Sequence, residues 1–262
     1  MGFLPDFTLS SNPEITVRLR EATVEDAIDF SELDPAFEEE ATTVFLDRMQ
    51  APEKYTDPRC WTAQDCRHAL FMYRLHTEEY DSMPMAYFCT ACQKEHTVSV
   101  KYADILAEYT PLEGKPFRDV IHEGHAVLVH PLLGRDIETL EKQRLIIDES
   151  SSPKEQRRAK ANLALNRILF CIDIPHLKEG ASEIERRESI KRYVLGMSSR
   201  EFTEFAEKVD GALSSMRHGL PTVYRDGKVM LQTPKIYCPE GKSQEGVSLL
   251  YHFRPFNFIP HI

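Results

Sequence analysis

The order of segments along the chain constrains the fold most: strand-like stretches lie at both ends, with helix starts between them. Near the N-terminus, EITVRLREATVED alternates apolar and polar residues and then passes into a helix that Thr23 caps. After Gly219, the segments TVYRDGKVML, KIYCPEG and GVSLLYHFRPFNFIP predict strands, with a hairpin turn at Asp226-Gly227. Because isolated hairpins are only marginally stable, these terminal strands must pack against other elements.

The middle of the chain carries helix-start motifs. The run Ser152-Pro153-Lys154-Glu155 places serine at the N-cap, proline at the first helical position and glutamate where it can close a capping box. It predicts a helix from 153 to about 170. The segment 62–80, apolar almost all round, predicts a central buried helix. The capping-box pattern recurs at Ser182 with Glu185 and at Ser198 with Glu201.

This layout predicts an α+β protein in which strands from the N- and C-terminal parts form one small antiparallel or mixed sheet, with a largely helical middle packed outside it. The 262 residues, 42% of them hydrophobic, are enough to bury a substantial core. Three regions follow: an N-terminal α+β region over 1–149 that carries a Cys-x-x-Cys knuckle, a helical region over 150–218, and a C-terminal strand region over 219–262 that completes the fold.

The cysteines suggest a metal site rather than a disulfide framework, since six irregularly spaced cysteines in a chain of this length are typical of reduced thiols. FCTACQKEH places Cys89 and Cys92 three apart, just ahead of a strand-like run. A closed zinc site needs four ligands, often from a second such pair. The nearest candidate is Cys238-Pro239-Glu240-Gly241, which has glycine where the second cysteine would stand.

Three interpretations of these cysteines remain open. Cys89, Cys92 and Cys238 form a mixed zinc site with one further ligand, or they are thiols on two turns without a metal, or they serve redox chemistry. A redox role has the least support, because a reactive Cys-x-x-Cys pair opens a helix whereas a strand follows here. The candidates for the further ligand are His96, His76 and Cys60.

The sequence does not favour an enzyme. In IHEGHAVLVHP, His122 and His125 are three apart beside a glycine and run into a strand, whereas a zincin needs two histidines four apart on a helix. We expect a turn with solvated or packed histidines. The glycines are scattered, and neither a phosphate-binding loop nor a nucleophile elbow is present.

Charge limits the possible partners. The net charge of -10, from 42 acidic and 32 basic residues, disfavours nucleic acid, because phosphate binding needs a basic stripe. A positively charged partner is compatible with it. No stretch approaches about 20 apolar residues, and MGFLPDFTLSSNPEITV lacks a basic region followed by a long apolar one. We therefore expect a soluble, cytoplasmic protein without membrane contact.

The aromatic tail FRPFNFIPHI has two possible roles. Large apolar side chains close together are typical anchors at protein interfaces, which makes this tail a candidate partner-binding segment. Alternatively, the tail folds back as the last strand of the core. The candidate anchors are Phe253, Phe256, Phe258 and Ile259.

Four segments together resemble the baseplate hub and tail-assembly proteins of contractile-tailed bacteriophages, the family of the T-even baseplate hub assembly protein. They are EITVRLREATVEDAIDF, MYRLHTEEYDSMPMAYFCTACQKEHTVSV, VLVHPLLGRDIETLE and YHFRPFNFIP. They span most of the chain, although the helical stretch from 150 to 215 contributes little. The family pattern includes a knuckle like that of Cys89 and Cys92, and in some members a second one near the C-terminus, from which this chain departs at Gly241.

The resemblance implies a non-enzymatic protein that forms part of the baseplate hub or assists its assembly through protein–protein contacts. Its partners would be other tail and baseplate proteins, including copies of itself in a symmetric baseplate. It would lie in the virion tail, or in the host cytoplasm during assembly. The alternative class is a zinc-ribbon-type binding module that contacts nucleic acid or a processing enzyme.

Overall fold

The computed structural model describes residues 2–149, 152–177, 182–225 and 228–257. Helices dominate the middle of the chain, as predicted. The described helices are α1 (Val24–Ser31), α2 (Glu38–Met49), α3 (Ala63–Thr77), α4 (Tyr102–Ala107), α5 (Gly134–Glu149), α6 (Pro153–Leu169), α7 (Glu183–Leu195) and α8 (Ser199–Ser214).

The described strands are short and pair into four antiparallel sheets, which confirms the α+β class. Their pairing is β1 with β2, β3 with β4, β5–β6–β7 in sequence order, and a C-terminal sheet in the order β10–β9–β8. The described strands are β1 (Phe7–Thr8), β2 (Thr16–Val17), β3 (Ser82–Cys89), β4 (Lys94–Lys101), β5 (Arg118–His122), β6 (His125–Val129), β7 (Ile172–Asp173), β8 (Thr222–Arg225), β9 (Lys228–Gln232) and β10 (Leu250–His252).

The expectation of one sheet shared by the two chain ends is wrong, because β1–β2 and β8–β10 are separate sheets. The backbone after β2 is already occupied: the Arg20 N–H donates to the Met49 carbonyl at 2.8 Å, and the Ala51 N–H donates to the Arg18 carbonyl at 2.9 Å. A strand edge filled by a neighbouring segment leaves no ladder for another strand. The two ends meet through side chains instead, and Phe253 lies in the same core as the N-terminal strand residues.

The first hydrophobic core surrounds α3, which is the central buried helix expected from the sequence. Its apolar side chains pack against α2, the N-terminal strands, the β3–β4 hairpin and the C-terminal sheet. The hydroxyl of Tyr73 accepts a hydrogen bond from the Ala22 N–H at 3.0 Å, so even the polar tip of this buried ring is satisfied. The innermost side chains, each at most 1% exposed, are Phe45, Leu46, Met49, Leu70, Phe71 and Tyr73.

A second core lies between the β5–β6–β7 sheet and helices α7 and α8. Val127 and Val129 of β6 face Phe205 and Val209 of α8, all buried. This core draws on β5 and β6, before residue 149, and on β7 and two helices after it. The division of the chain at 149/150 and 218/219 remains a prediction from the sequence.

Helix starts follow the capping motifs with one exception. Thr23, Ser182 and Ser198 each form a complete capping box with the acidic residue three positions on. Ser152 is the N-cap of α6 and proline is at the first helical position as predicted, but the Ser152 side chain makes no cap hydrogen bond. The expected capping box at Ser152 is therefore wrong, although the predicted helix start is right.

Helix α2 receives its N-terminal cap from another helix. Its own N-cap residue, Phe37, has no side chain that can accept a hydrogen bond. The Glu141 carboxylate of α5 accepts the Glu39 N–H at 3.0 Å and the Glu40 N–H at 3.3 Å. Burial raises the pKa of Glu141 to about 7.

None of the described helices combines the length and the apolar character that a membrane span requires.

A buried histidine makes the first core sensitive to acid. His68 of α3 is 8% exposed, packs on the rings of Phe7 and Tyr109, and has a buried Nδ1 without a hydrogen-bond partner among the described residues. Burial lowers the pKa of His68 from 6.5 to about 4. The unfolded chain therefore binds a proton that the folded chain does not, between these two values.

We expect the His68→Phe variant to lose less stability in acid than the wild type does. The depressed pKa means that the His68 contribution is complete above pH 6.5 and is lost as the pH falls towards 4, by about 2 kcal/mol between pH 7 and pH 5. Glu141 acts in the opposite direction, because a raised carboxyl pKa favours the fold at low pH, and it does so in both proteins. Urea unfolding at both pH values measures the difference; parallel pH curves for the two proteins would contradict it.

Candidate metal centre

Four potential metal ligands converge where the β3–β4 hairpin meets the C-terminal part of the chain. Their ligand atoms all lie within 4.8 Å of one another, and the group could hold a metal ion. Tetrahedral zinc with Zn–S bonds of about 2.3 Å places its ligand atoms just under about 4 Å apart, so a small contraction would complete the geometry. The four residues are Cys89, Cys92, His96 and Cys238.

The hairpin supplies three of the four ligands. Cys89 ends β3 opposite Lys94, and the Gln93 N–H donates to the Cys89 carbonyl at 2.8 Å across the turn. Gln93 has a φ of 61°, a left-handed conformation that closes the turn tightly and brings Cys92 back over the hairpin. The Cys92 Sγ lies 3.0 Å from the His96 Nε2.

Strand register explains why the third hairpin ligand is His96. In the antiparallel ladder, Tyr87 pairs with His96 and Cys89 pairs with Lys94. Directly opposed residues share a face, and residues two apart on one strand also share it, so His96 lies on the same face as Cys89. The neighbouring strand positions, Glu95 and Thr97, face the other way.

The C-terminal part of the chain supplies the fourth ligand from a tight turn. The Gly241 N–H donates to the Cys238 carbonyl at 2.9 Å, and Gly241 has a φ of +65°. Gly241 thus shapes the turn that presents Cys238, instead of contributing a ligand. Lys94 and Glu240 form an ion pair at 2.6 Å between the two turns.

The thiols of the centre influence one another. Burial and a hydrogen bond with Cys89 raise the pKa of Cys92. Burial also opposes ionisation of Cys238, but the N–H groups of Lys242 and Glu240 and the two neighbouring thiols outweigh it and lower the pKa of Cys238. The Cys238 thiol therefore loses its proton more readily than an ordinary thiol. The thiolate is the form in which cysteine binds metals.

The sequence-based candidates thus divide clearly. The three predicted cysteines come together, and His96 is the one of the three further candidates that joins them, whereas His76 and Cys60 are not in the group. Hairpin register is what distinguishes His96 from the other two candidates. His96 lies two positions after Lys94, the residue paired with Cys89, and therefore shares a strand face with Cys89.

The histidines of the IHEGH segment form a hairpin turn, as expected. His122 and His125 are paired residues at the ends of β5 and β6, and Glu123 and Gly124 between them have φ values of 49° and 79°. His122 is buried against the Phe205 ring, and His125 stacks on His176. Within the described ranges, these side chains do not gather into a metal-binding group.

The candidate anchors of the aromatic tail have different positions. Phe253 is 4% exposed and belongs to the first core, so its assignment as an exposed partner anchor is wrong; this segment does fold back, directly after β10. Phe256 is half-buried. Phe258 and Ile259 lie outside the described residues.

Comparison of the chain with models of protein families, with curated proteins and with solved structures found no match.

Proposed function

We propose that the centre binds one zinc ion in a structural role. The support is the donor set: three sulfurs and one imidazole nitrogen are a standard combination for structural zinc, and four protein ligands leave no open coordination position for a substrate. This convergence of Cys89, Cys92, His96 and Cys238 is the observation that carries the proposal.

The position of the zinc defines what it stabilises. Cys238 precedes β10 by 12 positions and follows β9 by six, so the metal would fasten the loop between two paired strands onto the β3–β4 hairpin. Both elements contribute side chains to the first core. The bound metal would therefore cross-link two distant segments of the chain within one core, as structural zinc sites do.

We infer further that the chain acts without catalysis, through contacts with other proteins, as a component or assembly factor of a phage baseplate hub. Two observations support this role: the four-segment resemblance, and two exposed aromatic side chains that are each adjacent in sequence to a ligand. Phe88, next to Cys89, is 55% exposed, and Tyr237, next to Cys238, is 57% exposed. Exposed aromatic residues on a rigid support are frequent interface anchors.

The double variant Phe88→Ala/Tyr237→Ala should impair assembly while the protein keeps its zinc and its fold. An aromatic anchor at the centre of an interface contributes about 2 kcal/mol of binding free energy. Phage that carry the variant should therefore accumulate incomplete baseplates, and their particle yield should fall roughly tenfold or more. Electron microscopy of lysates and plaque counts measure this, with circular dichroism and metal analysis on the purified protein.

Two control variants separate this role from catalysis. Tyr55→Ala/Tyr80→Ala removes two other aromatics, 52% and 71% exposed, and should leave the yield unchanged. The triple variant His122→Ala/Glu123→Ala/His125→Ala should also assemble normally if its protein stays folded. A normal yield from the Phe88/Tyr237 variant, together with a dead but folded triple variant, would overturn the proposed role.

A further inference from the structure

A cleft of about 500 Å³ lies between the two cores, and none of the four metal-ligand candidates lines it. Its walls come from the N-terminal segment, the residues before α3, and helices α5, α6 and α7. The volume is within the range of about 300 to 1,000 Å³ that is usual for small-molecule sites. We call it the basic cleft because four cationic side chains line it: Arg135, Arg186, Arg187 and Lys191.

The charge of the cleft is opposite to that of the chain. Two carboxylates, Asp173 and Glu188, line the cleft against the four cations, and a third, the buried Asp136, pairs with Arg187. One positive charge remains in excess, whereas the whole chain has 42 acidic and 32 basic residues. A concave site with low-dielectric walls focuses the field of such groups and raises the local concentration of counter-ions. The basic cleft is thus suited to an anion, although the chain as a whole repels one.

One of the cations is held in place by the protein. The Arg187 guanidinium lies 3.5 Å from a carboxylate oxygen of the buried Asp136 and 5.1 Å from the centre of the Phe170 ring. Arg187 and Lys191 are four residues apart on α7 and therefore lie on one side of that helix. A positioned guanidinium loses little entropy when it binds a ligand, and its fork of donors matches phosphate, sulfonate and carboxylate oxygens.

The rest of the lining combines apolar side chains with amides, two hydroxyls, a thiol and an imidazole. Leu9, Ile15 and Ile190 form apolar wall, and they come from both cores. Between α5 and α6, the Asn166 side-chain NH₂ donates to the Gln143 carbonyl oxygen at 2.9 Å. Each amide keeps one further polar group, a carbonyl on Asn166 and an NH₂ on Gln143. Such a lining fits a ligand with an apolar body as well as a charge.

We propose that the basic cleft binds a small organic anion: a phosphate, sulfonate or carboxylate group carried on an apolar or aromatic body. The cations of α7 and α5 hold the anionic group, and the walls from the two cores enclose the body. The ligand would bridge both cores and would stabilise the folded chain in proportion to its concentration.

The chain has a built-in reporter for this site, because Trp61 is its one tryptophan and lines the cleft. We would titrate the full-length, metal-loaded protein with anilinonaphthalene sulfonate, an aromatic sulfonate, and follow Trp61 fluorescence. Adenosine monophosphate and inorganic phosphate would then compete with the bound probe. We expect the probe to quench Trp61 fluorescence saturably at concentrations below about 1 mM. Adenosine monophosphate should reverse the quenching, whereas inorganic phosphate at the same concentration should not.

The variant Arg186→Glu/Lys191→Glu tests where the probe binds. These two residues are chosen because Arg135 and Arg187 already interact with other groups of the chain. The variant should weaken probe binding by roughly tenfold or more. The control variant Arg157→Glu/Arg158→Glu makes the same charge change on the exposed face of α6 and should alter probe binding by less than about twofold. The near-ultraviolet circular dichroism of both variants should match the wild type.

The remaining outcomes would overturn the proposal. Absence of saturable quenching shows that the cleft takes no such anion. An equal loss in the two variants shows that net charge, and not the cleft, attracts the probe. Competition by inorganic phosphate as strong as that by adenosine monophosphate shows that the walls contribute nothing, and a body-plus-anion ligand is then excluded.

Discussion

Protein purified without chelator should contain one zinc ion per chain, and Cys238→Ser should abolish the metal and destabilise the fold by several kcal/mol, on the order of the cost of losing a structural site. The reason is geometric: without Cys238 the metal can no longer join the β3–β4 hairpin to the loop between β9 and β10. Elemental analysis gives the stoichiometry, and thermal unfolding with and without a chelator gives the stability.

Cys60→Ser is the matched control for this prediction. It makes the same chemical change at an exposed cysteine outside the centre, so both metal content and unfolding temperature should stay at the wild-type values. His96→Ala should behave like Cys238→Ser, and His76→Ala like Cys60→Ser, if the four-ligand set is correct. Less than about a tenth of an equivalent of zinc in the wild type would sink the zinc proposal outright.

A second large effect is expected at Phe253, which distinguishes a core residue from a surface anchor. Phe253→Ala should cost about 3 to 5 kcal/mol of unfolding free energy, because it leaves a cavity in the first core. The Phe253 N–H also donates to the Val229 carbonyl at 2.9 Å, and this backbone bond keeps the residue after β10 in register with β9.

Phe88→Ala offers the same chemical change at a residue that is 55% exposed. It should change the unfolding free energy of the isolated protein by less than about 0.5 kcal/mol. Chemical denaturation of both variants measures the contrast. Equal and small effects would mean that Phe253 does not pack in the core of the protein in solution.

The metal centre and Phe253 act on the same part of the chain. With zinc bound, Cys238 would fasten the loop between β9 and β10, and Phe253 anchors the segment that follows β10. Zinc removal and Phe253→Ala should therefore be non-additive, because neighbouring sites that stabilise one element share part of their effect. On this proposal, zinc would hold the C-terminal sheet to the rest of the first core at one end, and Phe253 holds it at the other.

Local physics allowed much of the fold to be predicted from the sequence. Helix starts depend on a side chain and a backbone N–H three residues apart, so Thr23, Ser182 and Ser198 could be recognised without tertiary information. The hairpin strands that flank Cys89 and Cys92 also follow from short-range pattern. These features predicted the α+β class and the Cys89–Cys92 pair, because they depend on residues close together in the chain. Cys238 was also predicted, from its Cys-Pro-Glu-Gly turn, and His96 was one of three candidates for the further ligand.

Tertiary structure alone decided the rest. Strand register selects His96 among the candidate ligands, and the approach of a loop more than 140 positions away in the chain brings Cys238 to the hairpin. The packing of the C-terminal sheet makes Phe253 a core residue. The N-terminal strand edge was filled by the segment after α2, which kept the two chain ends in separate sheets. Contacts of this kind depend on which distant segments compete for the same ladder or cavity, and a single sequence does not state the outcome of that competition.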